Sequence, residues 1–167
     1  MKQHILYLMC GCPGSGKSTW AAKNVGPGDV IISRDQIRFD MLNDGEAYFC
    51  KENAVFKEFV RMIQDNLDND RVRNVFCDAT HITKASRDKL LNALDLSNVE
   101  QVIVIVVRPS LTETLRRNDE RDGLARVPRS VVRRMWMQFE RPEEDEGRVF
   151  DTYYAEVPDE QKDLVDF

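Results

Sequence analysis

The sequence predicts an α/β fold in which a doubly wound, mostly parallel five-stranded sheet carries helices on both faces. Short apolar runs alternate with longer segments of helical period along the 167 residues, and strands that alternate with helices are typical of a parallel sheet. The run Val102–Val107 is apolar throughout, as expected of a strand buried on both faces. With neither an internal repeat nor a linker rich in Pro, Gly and Ser, the chain is predicted to form one domain over residues 1–167.

The predicted elements follow the hydrophobic pattern in chain order. A weak apolar run predicts a strand near Tyr153–Val157, and stronger runs predict strands over His4–Cys10, Val30–Ser33, Asn74–Asp78 and Val102–Val107. Segments with apolar residues at helical spacing predict helices over Ser18–Asn24, Asp35–Leu42, Glu46–Asp68, Thr83–Leu94, Leu111–Arg121 and Pro128–Phe139. The apolar stripe of the last helix is most simply part of the core.

Composition and charge indicate a globular protein whose charge is unevenly distributed. Hydrophobic residues make up 42% of the chain, and the longest apolar run near the N-terminus is too short to span a bilayer, so we expect a cytoplasmic protein. The net charge is −5, but residues 111–141 carry eight arginines against five acids, and residues 142–167 form an acidic segment. The basic segment is compatible with a phosphate-handling surface or with a solvated helix face.

A phosphate-binding loop follows the first predicted strand. The sequence GCPGSGKS at Gly11–Ser18 matches G-x-x-x-x-G-K-[S/T] in full and opens a predicted helix. Its glycines let successive backbone N–H groups point inward, and the helix amino terminus adds partial positive charge toward a phosphate. We predict that Lys17 reaches the β- and γ-phosphates of ATP and that the Ser18 hydroxyl binds Mg²⁺. The predicted ATP-binding residues of the loop are Gly14, Ser15, Gly16, Lys17, Ser18 and Thr19.

Several classes of nucleotide-binding protein use this loop, and the remainder of the chain favours a small kinase. A GTPase needs a D-x-x-G element and an N-K-x-D motif, and no convincing pair of these occurs in the right order. A motor or oligomeric ATPase usually has a longer chain and a strand that ends in paired acids, whereas here a strand ends in the single acid Asp78. A short chain with a late arginine-rich segment is typical of small phosphotransferases with a lid.

An acceptor site is predicted where the second strand meets the next helix. Ligands of doubly wound sheets bind at the carboxyl ends of strands, which places Asp35 at the mouth of the site. Asp35 and Arg38 are three residues apart on a predicted helix and should share a face. The carboxylate can accept the proton of an attacking hydroxyl, and the guanidinium can hold a phosphate. The alternative is that Asp35 only caps its helix while Arg38 is exposed.

Asp78 ends the third predicted strand, close to the loop that bears Lys17 if the strand order is the one common in small kinases. It could orient Mg²⁺ through water, or anchor Arg38 and the acceptor, or simply form the turn after the strand. His81 follows in the same turn, and we assign it no chemistry, since loop histidines are more often polar surface residues.

A lid is predicted over about residues 116–130. Arg117 and Arg121 are four residues apart and should share a helix face. Arginines there can stabilise the charge that develops on the transferred phosphoryl group, so both are predicted ATP-binding residues and Arg121 a catalytic one. The alternative is that Arg117 pairs with Glu113 and Arg121 with a neighbouring acid.

These segments resemble the kinase module of the bacteriophage polynucleotide kinases, from residue 4 to about residue 140. The similar motifs are the phosphate loop through Thr19-Trp20-Ala21, Arg34-Asp35-x-x-Arg38, Asp78, Arg117-Asn118-x-x-Arg121, Val127-Pro128 and Met135. The resemblance implies that Asp35 is the general base on a 5′-hydroxyl. It implies that Arg38 binds the neighbouring 3′-phosphate, that Asp78 supports the acceptor side, and that Arg121 touches the transferred phosphoryl group.

The predicted function is therefore a Mg²⁺-dependent polynucleotide 5′-hydroxyl kinase that uses ATP on DNA or RNA ends. Bifunctional members of that family add a phosphatase domain that opens with D-x-D-x-[T/V], and no such pattern occurs here, so no 3′-phosphatase activity is expected. A small-metabolite or nucleoside kinase of the same P-loop class is the first alternative. A nucleotide-dependent binding or switch protein is the second, which Asp35 disfavours because a switch needs no acceptor base.

Overall fold

Five parallel strands form the central sheet of the computed structural model, which describes residues 2–153. Their order across the sheet is β2-β3-β1-β4-β5, and every pairing is parallel. The strands are β1 His4–Cys10, β2 Val30–Ser33, β3 Asn74–Asp78, β4 Val99–Val106 and β5 Arg148–Asp151. The predicted α/β fold and its first four strands are confirmed. Because all strands run the same way, their carboxyl ends share one edge, and β3 and β4 flank β1 there.

Helices cover both faces of this sheet, as predicted. On one face α3 packs Val55 and Phe59 against Leu6 and Leu8, and on the other Ala21 of α1 packs against Met9. Within residues 2–153 no helix is long and apolar enough to cross a membrane. The α-helices are α1 Lys17–Asn24, α2 Arg34–Met41, α3 Glu52–Leu67, α4 Lys84–Ala93, α5 Leu111–Asp119 and α6 Arg129–Met137, with 3-10 turns at Gly123–Ala125 and Glu144–Glu146.

The helix predicted from Glu46 begins six residues later, at Glu52. Residues 42–51 form a loop of turns instead, in which Gly45 adopts a positive φ of 82°. The Glu46 carboxylate accepts the backbone N–H of Asn43 at 2.8 Å, which stabilises the turn. Loop 42–51 folds back against α2 and contributes to the site described below.

The fifth strand lies earlier than predicted. β5 covers Arg148–Asp151 and pairs with β4, where Val149 lies beside Val104. Of the predicted stretch near Tyr153–Val157, only Tyr153 is among the described residues, and it is helical. Most of the predicted acidic segment likewise lies outside the described residues. β5 is an edge strand with two apolar residues between charged ones, a pattern that gives little local signal.

A buried ion pair ties α4 to the segment before β5. Arg87 is fully buried, and its Nε donates to Oε1 of Glu146 at 2.6 Å. Arg87 Nη1 also donates to the backbone carbonyl of His81 at 2.8 Å.

Burial lowers the pKa of His81 to about 4, so its imidazole is neutral at pH 7, and Nδ1 lies 2.9 Å from the Met9 carbonyl. The expectation of a polar surface residue is therefore wrong, because His81 is buried and holds the turn after β3 against β1.

We expect Glu146→Ala to lower the free energy of unfolding by about 3–5 kcal/mol, because Arg87 would stay buried without its carboxylate. Glu144→Ala, at an exposed position two residues earlier, is the matched control and should cost less than about 0.5 kcal/mol. Urea denaturation of both variants and the wild type measures these values. Equal midpoints for the two variants would show that the buried pair contributes little.

Candidate active site

The phosphate loop joins β1 to α1 and closes tightly enough to require its glycines. Gly14 and Gly16 have φ values of 84° and 94°, in the region that favours glycine. A Cβ on Gly14 would lie 2.6 Å from the Thr114 carbonyl oxygen, and one on Gly16 would lie 2.8 Å from Nη1 of Arg117. α1 begins at Lys17, whose N–H makes only a long hydrogen bond of 3.4 Å to the Ser15 hydroxyl, and Gly16 provides no side-chain cap. The partial positive charge of this helix end favours a phosphate there.

A cavity of about 280 Å³ lies over this loop and suits the phosphates of a nucleotide. Ser15, another predicted ATP-binding residue, is buried within the loop. A second cavity of about 360 Å³, bordered by Trp20 and Tyr153, adjoins the same loop at Ser15 and Gly16. The cavity of about 280 Å³ over the loop is lined by Cys12, Gly14, Gly16, Lys17, Ser18, Thr19, Arg117 and Arg121.

Asp78 ends β3 and meets the phosphate loop because β3 and β1 are neighbours. The Ser18 hydroxyl donates to its Oδ2 at 2.6 Å, and Lys17 Nζ lies 3.5 Å from its Oδ1. That Oδ1 is buried and has no hydrogen-bond partner among the described residues. A buried carboxylate oxygen that accepts no hydrogen bond among the described residues, beside a serine hydroxyl, fits a hydrated Mg²⁺, which takes oxygen ligands. These contacts put Asp78 at the phosphate side of the site, and its predicted support of the acceptor side stays a prediction.

Asp35 lies in the first turn of α2 with its carboxylate turned into the site. Ser33 caps this helix, since its hydroxyl accepts the Gln36 N–H at 3.2 Å, so the capping alternative for Asp35 is wrong. Oδ1 of Asp35 accepts a hydrogen bond from the Tyr48 hydroxyl at 2.7 Å and another from Arg38 Nη1 at 2.5 Å. The predicted shared face of Asp35 and Arg38 is present.

Burial and charge act in opposite directions on the Asp35 carboxylate. Burial alone would raise its pKa, but the Lys17 charge, the Tyr48 hydrogen bond and the charges of Arg38 and Arg121 together outweigh it. The pKa of Asp35 therefore lies below its usual value. At neutral pH the group is an ionised carboxylate, which is the form that can accept a hydroxyl proton.

Arg38 is buried and is held by residues that the sequence pattern did not identify. Its Nε and Nη2 donate to the two oxygens of Glu52 at 2.6 and 2.9 Å, and its guanidinium lies 4.7 Å from the centre of the Tyr48 ring. Glu52 also accepts a hydrogen bond from Arg34 Nη2 at 3.1 Å. The Nε of Arg34 is buried and has no hydrogen-bond partner among the described residues. Two arginines thus share one carboxylate.

A third cavity, of about 220 Å³, opens beside these two arginines and is separate from the one over the phosphate loop. Asp35 and Lys17 line it, so an acceptor bound there would lie close to the phosphates. We call it the acceptor cavity. It is lined by Pro13, Lys17, Arg34, Asp35, Arg38, Tyr48, Phe49, Glu52, Ala79, Thr80, Val127 and Met135.

Sequence reasoning missed the site residues Tyr48 and Glu52, and it named Arg34 in a motif without giving it a role. Arg34 directly precedes Asp35, so its charge was an available signal. Tyr48 and Glu52 fall inside the segment predicted as helix from Glu46. No local pattern marks their contacts with Arg38, which lies ten and fourteen residues before them.

Both arginines predicted in the lid face the site. Arg117, on α5, donates from Nη1 to the Ser15 carbonyl of the phosphate loop at 2.9 Å, and from Nε to Glu113 at 2.8 Å. Arg121 lies in the turn after α5, and its Nη2 is 3.7 Å from Oδ2 of Asp35. Of the ion pairs in the alternative, the one between Arg117 and Glu113 is present, although Arg117 also touches the phosphate loop. Arg121 faces the acceptor carboxylate of Asp35 instead of a neighbouring acid.

The arrangement can bind a nucleoside triphosphate and position its terminal phosphoryl group beside an acceptor. An anion-binding loop with a buried lysine lies next to an ionised carboxylate, and arginines reach both. Fold and site together define a P-loop kinase domain. The profile of the family AAA_33, described as an AAA domain, matches residues 6–142, and the chain belongs to this family. Membership implies the use of a nucleotide such as ATP.

Solved structures with this fold include nucleic-acid and sugar kinases. A chain of the Pnkp1/Rnl/Hen1 RNA repair complex superposes with a TM-score of 0.68 at 22% sequence identity. The match covers 83% of this chain but only 44% of the repair-complex chain, so this chain spans less than half the length of that relative. A fungal RNA kinase gives 0.60 at 16% identity, over 90% and 75%. A gluconokinase from Sinorhizobium meliloti 1021 gives 0.54 at 17% identity, over 90% and 84%. No curated protein sequence matches significantly.

Proposed function

We propose that the protein is a Mg²⁺-dependent polynucleotide 5′-hydroxyl kinase that transfers the γ-phosphate of ATP to DNA or RNA ends. The observation that carries the proposal is the acceptor cavity, where Arg34 and Arg38 share the single carboxylate of Glu52 beside Asp35. With Lys17, the cavity lining carries three cations against the two carboxylates of Asp35 and Glu52. This excess of positive charge suits an acceptor with a hydroxyl and a nearby phosphate. The first nucleotide of a 5′-OH polynucleotide has both groups, which fits a role in nucleic-acid end repair.

In the proposed reaction, Asp35 accepts the proton of the 5′-hydroxyl while that oxygen attacks the γ-phosphorus of ATP. The new O–P bond forms as the bond to the β–γ bridging oxygen breaks, and its electron pair leaves with ADP. Lys17 and Arg121 stabilise the charge on the transferred group. Ser18, with Asp78 behind it, would hold Mg²⁺, whose charge would neutralise the β- and γ-phosphates.

A kinase of a small anionic metabolite is the second candidate, and one observation favours it. The acceptor cavity is only about 220 Å³, and its paired arginines would equally hold the carboxylate or phosphate of a sugar acid. An RNA kinase and a gluconokinase both share the fold, so the fold does not separate the candidates. We prefer the polynucleotide acceptor because Arg34-Asp35-x-x-Arg38 occurs together with Arg117-Asn118-x-x-Arg121, as in the kinases that the sequence resembles.

The decisive comparison is between a nucleoside 3′-monophosphate and the plain nucleoside as acceptors. We expect the 3′-monophosphate to have the higher kcat/KM by roughly ten- to a hundredfold, because a bidentate charged contact contributes about 1.5–3 kcal/mol. Arg38→Ala should remove this preference, beyond any general loss that comes from its contact with Asp35. Assays with labelled ATP measure kcat/KM for the nucleoside 3′-monophosphate, the plain nucleoside, 5′-OH DNA, 5′-OH RNA and sugar acids.

Arg61→Ala, at an exposed position on α3, is the matched control and should leave the preference intact. If both acceptors react equally well with the wild type, or if Arg38→Ala slows both alike, Arg38 has no role in phosphate recognition. Faster phosphorylation of a sugar acid than of every nucleic-acid acceptor would make the small-metabolite kinase the better account.

A further inference from the structure

Residues 121–135, which span the later part of the predicted lid and most of α6, form a strongly basic segment in an otherwise acidic protein. Residues 121–135 contain five arginines and one aspartate, a net charge of +4, whereas the whole chain carries −5. Two of these arginines have acidic partners, since Arg121 faces Asp35 and Arg129 pairs with Asp119. The other three, which we call the outer arginines, are Arg126, Arg133 and Arg134.

The outer arginines are exposed, and none of them forms an ion pair with an acid in the part of the chain that the structure describes. The Nε of Arg126 donates to the backbone carbonyl of Arg121, which leaves its charge uncompensated. Arg116 on α5, by contrast, pairs with both Glu113 and Glu120, whereas the exposed Arg71 and Arg73 before β3 also lack an ion pair among the described residues. An unpaired guanidinium keeps its full charge and its forked donors for a phosphate.

The position of the outer arginines relates them to the acceptor cavity. Arg126 directly precedes Val127 and Arg134 directly precedes Met135, and Val127 and Met135 both line the cavity. Phe49 of loop 42–51 lines the same cavity and leaves 51% of its surface exposed. The lining of the acceptor cavity therefore includes an exposed aromatic ring, and two of the outer arginines are chain neighbours of other lining residues.

We propose that the outer arginines lie with Phe49 around the mouth of the acceptor cavity, and that this mouth binds the single strand that follows the reacting 5′ nucleotide. The inference rests on the proposed polynucleotide kinase function. It adds the location of the nucleotides that follow the reacting one. Phosphates of the second and later nucleotides pair with the outer arginines, and a base stacks on Phe49. A basic groove with an aromatic platform is the combination that single-strand binding proteins use, whereas an anionic membrane would need the charge alone.

Binding of a fluorescein-labelled, single-stranded 5′-OH oligonucleotide of about twelve nucleotides, followed by anisotropy, tests the surface. Arg126→Gln, Arg133→Gln and Arg134→Gln combined should weaken binding at least about tenfold at low salt. The log–log salt slope should fall by about two, since each phosphate contact on a single strand contributes about 0.7. Phe49→Leu should weaken binding roughly tenfold through the loss of one stacked base.

The matched control replaces three exposed arginines on α3 and before β3 with glutamine, namely Arg61, Arg71 and Arg73. It changes the net charge by the same amount away from the acceptor cavity, and binding should fall much less. An equal loss in the two triple variants would overturn the proposal, because net charge would then explain the binding. A Phe49→Leu protein that binds like the wild type, or vesicles of anionic lipid that compete as well as unlabelled oligonucleotide, would also overturn it.

Phosphorylation assays separate this inference from the proposed function. The outer-arginine triple variant should phosphorylate the oligonucleotide about tenfold more slowly and a nucleoside 3′-monophosphate at the wild-type rate, since the small acceptor does not reach the mouth. If neither acceptor is phosphorylated but the oligonucleotide still binds through the outer arginines, the proposed activity is wrong and the surface is confirmed. If the variant and the wild type phosphorylate both acceptors equally well, the surface is wrong and the activity stands.

Discussion

Replacing Lys17 with alanine is expected to reduce ATP-dependent phosphoryl transfer by at least about 10²–10³-fold in kcat. Lys17 is the one cation of the phosphate loop, and only 6% of its surface is exposed at the start of α1. Without it, the charge on the β- and γ-phosphates loses its main side-chain partner during the transfer. Assays with labelled ATP and saturating acceptor measure the loss.

Lys57→Ala, at an exposed position on α3, is the matched control and should keep the wild-type rate. The Lys17 variant also leaves Asp78 buried without its ion pair, so circular dichroism is needed to show that the variant is folded. A folded Lys17→Ala protein with wild-type turnover would contradict the assignment of the loop.

The parallel sheet could be predicted from the sequence because its central strands carry strong local signals. β1, β3 and β4 are short apolar runs, and each is separated from the next by segments of helical period. The phosphate loop is equally local, since eight consecutive residues and their strand–helix context define it. β5 could not be placed as well, because an edge strand with alternating exposure has few apolar residues to mark it.

The candidate site could be predicted only where its residues are close in sequence or fixed by the sheet. Asp35 and Arg38 meet because three residues on a helix bring them to one face, and Asp78 meets the loop because β3 lies beside β1. Tyr48 and Glu52 reach Arg38 only because loop 42–51 turns back on α2. That turn depends on tertiary packing, so no periodic pattern reports it.

The approach of Arg121 to Asp35 is another contact that depends on tertiary packing. The two residues are far apart in the sequence, and their separation of 3.7 Å depends on how the segment after α5 lies over α2. Buried Asn118 helps to fix that segment, because its side chain donates to the Val127 carbonyl at 2.7 Å and accepts the Val127 N–H at 3.1 Å. Sequence spacing predicts the arginine, and the packing of the segment decides which partner it faces.

Asp35→Asn should reduce transfer by about 10²–10⁴-fold while ATP binding is retained. Asparagine keeps the size of the carboxylate and can still accept the Tyr48 hydrogen bond, but a neutral amide cannot take up the proton of the attacking hydroxyl. Asp40→Asn, at an exposed position on the same helix, is the matched control and should leave the rate unchanged. Single-turnover assays together with titration of a fluorescent ATP analogue separate chemistry from binding.

The pH dependence of the reaction gives an independent check on Asp35. Burial favours the protonated form of Asp35, but Lys17, Tyr48, Arg38 and Arg121 hold its pKa below the usual value. The contribution of the Asp35 carboxylate to the rate should therefore stay constant from pH 8 down to roughly pH 5. Stability follows the same sign, since a carboxylate with a lowered folded-state pKa stabilises the fold above its unfolded pKa and loses that contribution as the pH falls through the folded value. Tyr48→Phe removes a hydrogen bond to the ionised form and should move the acid limb of kcat to higher pH. An acid limb that does not move in Tyr48→Phe, and that persists unchanged in Asp35→Asn, would mean that another group is the base.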